Sequence, residues 1–233
     1  MKRNTLLRAS ALLLVATLTT SCFVGGTFAK YVSEGEGLDS ARVAKWGVEV
    51  EVTGDGFKTT YGKDDTSANI SSDTVISSNG DKVVAPGTEG TFGGVKITGT
   101  PEVAVKVQTT ATVDLSGWNV GSGGAFYCPL KFTIDKTTIN GLDYFSKTSG
   151  GESSFEKAIK DAIEKATSKE LAAGADLSEV GKDVTYSWEW PFENADSQDN
   201  KLDTALGDLA ADGDTGNDPK VSITVSTTVT QID

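Results

Sequence analysis

The chain has 233 residues, with 21 Lys and Arg against 33 Asp and Glu, two cysteines and no histidine. Without histidine there is no Ser-His-Asp or Cys-His relay, no HExxH zinc site and no imidazole switch. A net charge of −12 argues against nucleic acid as a partner, because a phosphate backbone demands a basic patch. At 37% apolar and 23% charged residues the composition is globular rather than disordered, and the length suits one large or two small domains.

In chain order, Lys2, Arg3 and Arg8 form a basic start ahead of Leu12–Leu18, an apolar run too short for a stable bilayer span. Thr27 and Ala29 place small residues at −3 and −1 of a cut between Ala29 and Lys30. Residues 1–29 therefore read as a secretory signal peptide, followed by an extended segment over 30–42 and a single domain over 43–233. A secreted, extracellular or cell-surface location follows, with no stable membrane span in the mature protein. Cleavage leaves 18 basic against 33 acidic residues, net −15, and leaves Cys128 as a lone thiol without a disulfide partner. Thr20-Ser21-Cys22 partly matches a lipobox, so lipid anchoring at Cys22 stands as the alternative.

Strict alternation dominates the rest. Trp46, Val48, Val50 and Val52 share one strand face, and Val103, Val105, Val107, Thr109, Ala111, Val113 and Leu115 make a longer ladder. Phe126, Cys128, Leu130, Phe132 and Ile134 repeat the pattern, as do Tyr186, Trp188, Trp190 and Phe192, and then Val221, Ile223, Val225, Thr227 and Val229. Five one-sided strands bury their faces by packing sheet on sheet, which predicts a mainly β fold: an antiparallel β-sandwich of jelly-roll type. Pro86-Gly87 fits the centre of a type II turn, and Gly54–Asn79 reads as loop or short irregular strand. One peripheral α-helix is expected over about 153–173. Its signals are a capping box at Ser153 and Glu156, apolar residues at Phe155, Ile159 and Ile163, acid-first pairs Glu156–Lys160 and Asp161–Lys165, and a stop at Gly174.

Candidate chemistry is sparse. Trp188 and Trp190 share the parity of Tyr186 and read as core, whereas Trp118 beside a glycine-rich loop reads as the more exposed indole. Asp208, Asp212, Asp214 and Asp218, with Gly213 and Gly216 between them, offer oxygen ligands for calcium, although the spacing departs from an EF-hand loop and solvated acids are the commoner outcome. Cys128 reads as a buried structural thiol. Asn69-Ile70-Ser71 matches a glycosylation triplet that is common by chance.

The run Phe23-Val24-Gly25-Gly26-Thr27-Phe28-Ala29-Lys30-Tyr31 resembles the signal end of the TasA/camelysin family of secreted bacterial surface proteins. Val95-Lys96-Ile97-Thr98-Gly99-Thr100-Pro101-Glu102-Val103, Tyr127-Cys128-Pro129-Leu130, Ser187-Trp188-Glu189-Trp190-Pro191-Phe192-Glu193 and Asp203-Thr204-Ala205-Leu206-Gly207 are similar to segments of proteins with that signal type. Cys22 departs from it, standing where a small or hydroxyl residue is usual. The resemblance implies export through a dedicated signal peptidase, with cleavage before Lys30 or one residue later before Tyr31. It also implies a structural subunit of cell-surface or biofilm-matrix fibres, built by self-association or with another matrix protein. By resemblance the donor strand lies in Lys30–Arg42, with Tyr31 and Val32 as its anchors; Gly35, Gly37, Glu34 and Glu36 disfavour strand there. The rival reading is a monomeric, surface-displayed module that binds glycans or proteins. An enzyme is not expected, since the protease label of camelysins finds no histidine and no HExxH here. No cofactor is expected beyond the calcium candidates.

Overall fold

Period-two alternation becomes strand in parts of each of the five predicted runs. A computed structural model describes residues 41–62, 73–121, 123–145, 150–192, 199–211 and 218–232. Its strands are β1 (Glu49–Val52), β2 (Thr60–Tyr61), β3 (Val75–Ile76), β4 (Glu89–Thr91), β5 (Val95–Thr98), β6 (Val105–Asp114) and β7 (Asn119–Gly121). They continue with β8 (Ala125–Phe126), β9 (Lys131–Ile134), β10 (Thr137–Asn140), β11 (Lys169–Leu171), β12 (Tyr186–Glu189) and β13 (Ser222–Gln231). Two α-helices, α1 (Gly151–Thr167) and α2 (Asp199–Ala211), accompany them. The fold is mainly β, and every ladder is antiparallel.

The sheets are a four-stranded one in the order β10-β9-β12-β4, a three-stranded one in the order β11-β6-β13, and the pairs β1-β5, β2-β3 and β7-β8. The inward residues of the four-stranded sheet (Phe132, Ile134, Tyr186, Trp188) share one core with Ala111, Leu115, Phe126 and Trp118. A smaller cluster gathers Val95, Ile97, Val105, Val107, Leu177 and Val180, and Val225 packs against both. The chain from Val43 to Asp233 forms one compact unit.

Local chemistry explains where the strands stop short of the predicted runs. Gly47 sits at φ +51, in the left-handed region, so the ladder through Trp46 begins only at Glu49. Trp46, Val50 and Val52 stay largely exposed. Between Ala125 and Leu130 every residue is buried regardless of parity, and Pro129, lacking an N–H, leaves no continuous ladder through that stretch. Pro191 likewise ends the run after Trp190, and Phe192 is 62% exposed instead of lying on the core face. Gly87, at φ +86, takes the position that the Pro86-Gly87 type II turn requires, and Thr88 N–H donates to Ala85 O across it at 3.0 Å.

The helical prediction holds in place and fails in two details. Helix α1 packs by one face only: Phe155, Ile159 and Ile163 are fully buried in the main core, each contributing about 1.5–3 kcal/mol of apolar burial, while the other face meets solvent. First, it spans 151–167 rather than about 153–173. Thr167 donates its hydroxyl to Thr109 Oγ1 at 2.7 Å, and Lys169–Leu171 then pair with β6 as β11, so sheet pairing overrides the helix-forming residues beyond. Gly174, at φ +77, serves the turn after β11, its N–H donating to Pro101 O at 2.7 Å. Second, no capping box forms: the N-cap is Gly150, and Ser154 Oγ donates back to Gly150 O at 2.7 Å. The ion pairs along the helix are Lys157–Asp161 and Lys160–Glu164 rather than the acid-first pairs. The second helix, α2, was not expected. Its apolar stripe is Leu202, Ala205, Leu206 and Leu209, of which Leu206 is buried and Leu202 packs against the same core, while Tyr127 donates its hydroxyl to Asp203 Oδ1 at 2.8 Å.

Candidate functional site: an open strand edge and a polar groove

The two long strands carry very different edges. Thr109 N–H donates to Ser168 Oγ at 3.1 Å, Ala111 N–H to Glu164 Oε1 at 3.1 Å and Leu115 N–H to Glu156 Oε1 at 2.9 Å. Helix α1 thus covers the β6 edge beyond β11, with its side chains standing in for a neighbouring strand. The geometry is commensurate. Four helical residues rise about 6 Å and two strand residues about 6.6 Å, so 168, 164, 160 and 156 fall opposite 109, 111, 113 and 115. Lys160 occupies the place opposite Val113, and it carries only donors.

The other side has no hydrogen-bonded strand among the described residues, although β1 and Gly93 lie close to it. Because the odd-numbered N–H groups of β6 point toward α1, the even-numbered residues carry its ladder to β13. On β13 the paired residues are then Ser222, Thr224, Ser226, Thr228 and Thr230. The backbone groups of Ile223, Val225, Thr227 and Val229 face outward, and no strand pairs with them among the described residues. From Val221 to Gln231 there is no charge, no proline and no glycine, so the usual devices that block edge pairing are missing. A cavity of about 260 Å³ lies beside this edge, lined by Thr53, Gly54, Phe57, Gly93 and Ile223–Val225.

A second concavity, about 490 Å³, lies over the four-stranded sheet. Register places Glu89, Glu189 and Lys131 in one row across β4, β12 and β9, and Thr91, Ser187, Thr133 and Thr138 in the next. Asp55 and Lys58 complete the wall. Lys131 Nζ lies 3.6 Å from Glu189 Oε1, Lys82 Nζ 3.4 Å from Asp55 Oδ1, and the Thr133 and Thr138 hydroxyls are 3.1 Å apart. The opposite face of the sheet fixes the floor: Trp188 Nε1 donates to Gly56 O at 2.8 Å, and a Cβ on Gly90 would collide with that carbonyl.

Among the predicted sites, Ala29, Lys30, Tyr31, Val32, Cys22, Asp212 and Asp214 lie outside the described residues, as does Asn69-Ile70-Ser71. Asp218 is half-buried, and its Oδ1 is hidden without a hydrogen-bond partner among the described residues; Asp208 is an exposed residue of α2. Among the described residues no three acidic or cysteine side chains group to hold a metal ion. Trp188 and Trp190 are buried, as their parity predicts. Trp118 is buried too, contrary to expectation: its Nε1 donates to Lys220 O at 2.7 Å and its ring lies 5.8 Å from that of Trp190. Cys128 is fully buried, and that burial pushes its thiol well above the ordinary range. Sequence reading missed both the open edge and the groove, since each depends on which distant strands pair.

No family model, curated protein or solved structure matches this chain. Among the described residues, no helix is long and apolar enough to cross a membrane.

Proposed function

We propose that the chain is a secreted structural subunit of bacterial cell-surface or biofilm-matrix fibres, of the TasA/camelysin kind and built on a jelly-roll sandwich. Residues 1–29 act as the signal peptide, and the mature subunit assembles by donating an N-terminal strand, anchored at Tyr31 and Val32, to a neighbour. The observation that carries this reading is the ten-residue outer edge of β13, uncharged and without a hydrogen-bonded strand among the described residues, while the matching edge of β6 is covered. Exposed edges of this length template pairing with another chain, through main-chain hydrogen bonds that tolerate many donor sequences. A charge-free edge also suits a subunit of net −15, which otherwise repels its own copies.

Negative-stain microscopy of concentrated mature protein tests the reading. Fibres should form, and deletion of Lys30–Asp39 should abolish them. Val225→Pro should do the same, because it removes an outward N–H and no bond of the β6 ladder. A protein that stays monomeric across salt and calcium concentrations, or fibres that survive the deletion, would refute it.

A further inference from the structure

We infer that the groove over the four-stranded sheet is a binding site for a neutral oligosaccharide, independent of strand donation. Its volume, about 490 Å³, falls in the range of small-molecule sites and exceeds what a single ion needs. Its wall mixes polar and apolar surface, with carboxylates from Asp55, Glu89 and Glu189, hydroxyls from Thr91, Thr133 and Ser187, and Trp188 and Gly90 between them. Vicinal sugar hydroxyls both donate and accept, and they match such a mixture.

The charge pattern narrows the ligand class. Glu89 and Glu189 stand directly opposite on adjacent strands, with Cβ atoms about 5 Å apart, an unfavourable like-charge pair. Lys131 offsets Glu189 from the far side, whereas the Glu89 carboxylate has no partner among the described residues. A ligand bringing O–H donors between the two carboxylates relieves the repulsion. An anion meets three carboxylates, and a bare cation meets the ammonium groups of Lys58 and Lys131. A wholly apolar ligand leaves the carboxylates and hydroxyls unpaired, since Trp188 reaches the groove with only a sliver of its ring. A neutral polyol is the class that fits every group on the wall.

The test is amide chemical-shift mapping on the full mature protein with maltotetraose, cellotetraose and mannotetraose at millimolar concentration, with calcium chloride as a separate arm. At least one tetrasaccharide should shift the amides of Thr91, Thr133, Ser187 and Glu189 with saturable, millimolar or tighter affinity. Glu89→Ala and Glu189→Ala should each weaken that binding about tenfold or more, the size of one charge-assisted hydrogen bond. Glu51→Ala, on β1, should leave it unchanged. Unfolding midpoints of the groove variants at or above wild type separate lost binding from lost fold. Absence of shifts with all three sugars, shifts confined to other surfaces, or the same residues responding to calcium alone would overturn the inference. Fibre formation by Glu89→Ala and sugar binding by Val225→Pro keep this site and the assembly reading separately testable.

Discussion

Removing the Glu164 carboxylate tests whether α1 replaces a missing strand. Glu164 Oε1 accepts the Ala111 N–H at 3.1 Å, and its side chain is 30% exposed. A hydrogen bond to a charged group contributes about 1.5–3 kcal/mol, and water reaching the open flank puts the value near the lower end, about 1.5–2 kcal/mol. Two other consequences of Glu164→Ala are small. The exposed Lys160 contact at 3.9 Å contributes little, and alanine gains a few tenths of a kcal/mol in helix propensity. For a chain of this size the net loss lowers the thermal midpoint by about 3–8 °C. Glu164→Gln keeps a carbonyl acceptor and should recover about half of that. Lys165→Ala, an exposed neighbour on the same helix, is the control. Thermal unfolding gives the magnitude, and amide exchange at Ala111 gives the location, since that N–H should lose protection selectively. A midpoint for Glu164→Ala matching the Lys165→Ala control, or an Ala111 amide that stays protected, would refute the edge-cover account.

Further outcomes follow from the same geometry. Lys160→Gln, which puts an acceptor opposite Val113, should hold or raise stability by up to about 1 kcal/mol in denaturant titration. The carboxyl of Glu152 is held above its usual range by burial, then by Glu156 and Asp114, with an Asn119 side-chain hydrogen bond opposing. Its contribution is full below the unfolded-state value, near pH 4.3, and is lost as pH rises through the folded value; Glu152→Gln should therefore gain more stability at pH 7 than at pH 4. Gly90→Ala should cost about 2–4 kcal/mol by urea unfolding, because the new Cβ collides with Gly56 O and comes within 2.9 Å of Trp188 Nε1. Cys128 should resist an aromatic disulfide reagent in the native state and react once denaturant unfolds the chain.

Parity was the part of the fold legible in the residues. Val105 and Val107, Phe132 and Ile134, and Tyr186 and Trp188 alternate with polar neighbours, and all six are buried. The helix at Phe155–Ile163 was equally readable, because three apolar residues at four-residue spacing define a face without tertiary help. Boundaries were not. Gly47 and Pro191 are visible breakers, yet the end of α1 at Thr167 depends on hydroxyls from a strand 58 residues away in sequence. Helix α2 was readable as well, since Leu202, Ala205, Leu206 and Leu209 recur at i, i+3, i+4 and i+7, but the period runs for only two turns in an acidic segment.

Within β6, β9, β12 and α1 the sequence by itself determined which residues leave water, since a two- or 3.6-residue period reports one face of one element and needs no knowledge of its neighbours. Only the tertiary structure decided what those elements do to one another. Register sets Glu89 opposite Glu189 across 100 residues of chain, turns Glu156 and Glu164 from helix-surface acids into acceptors for β6, and leaves one side of β13 without a strand partner among the described residues. Those pairings are non-local: a strand carries the same donors and acceptors on both edges, and which edge is filled depends on what the rest of the chain brings beside it.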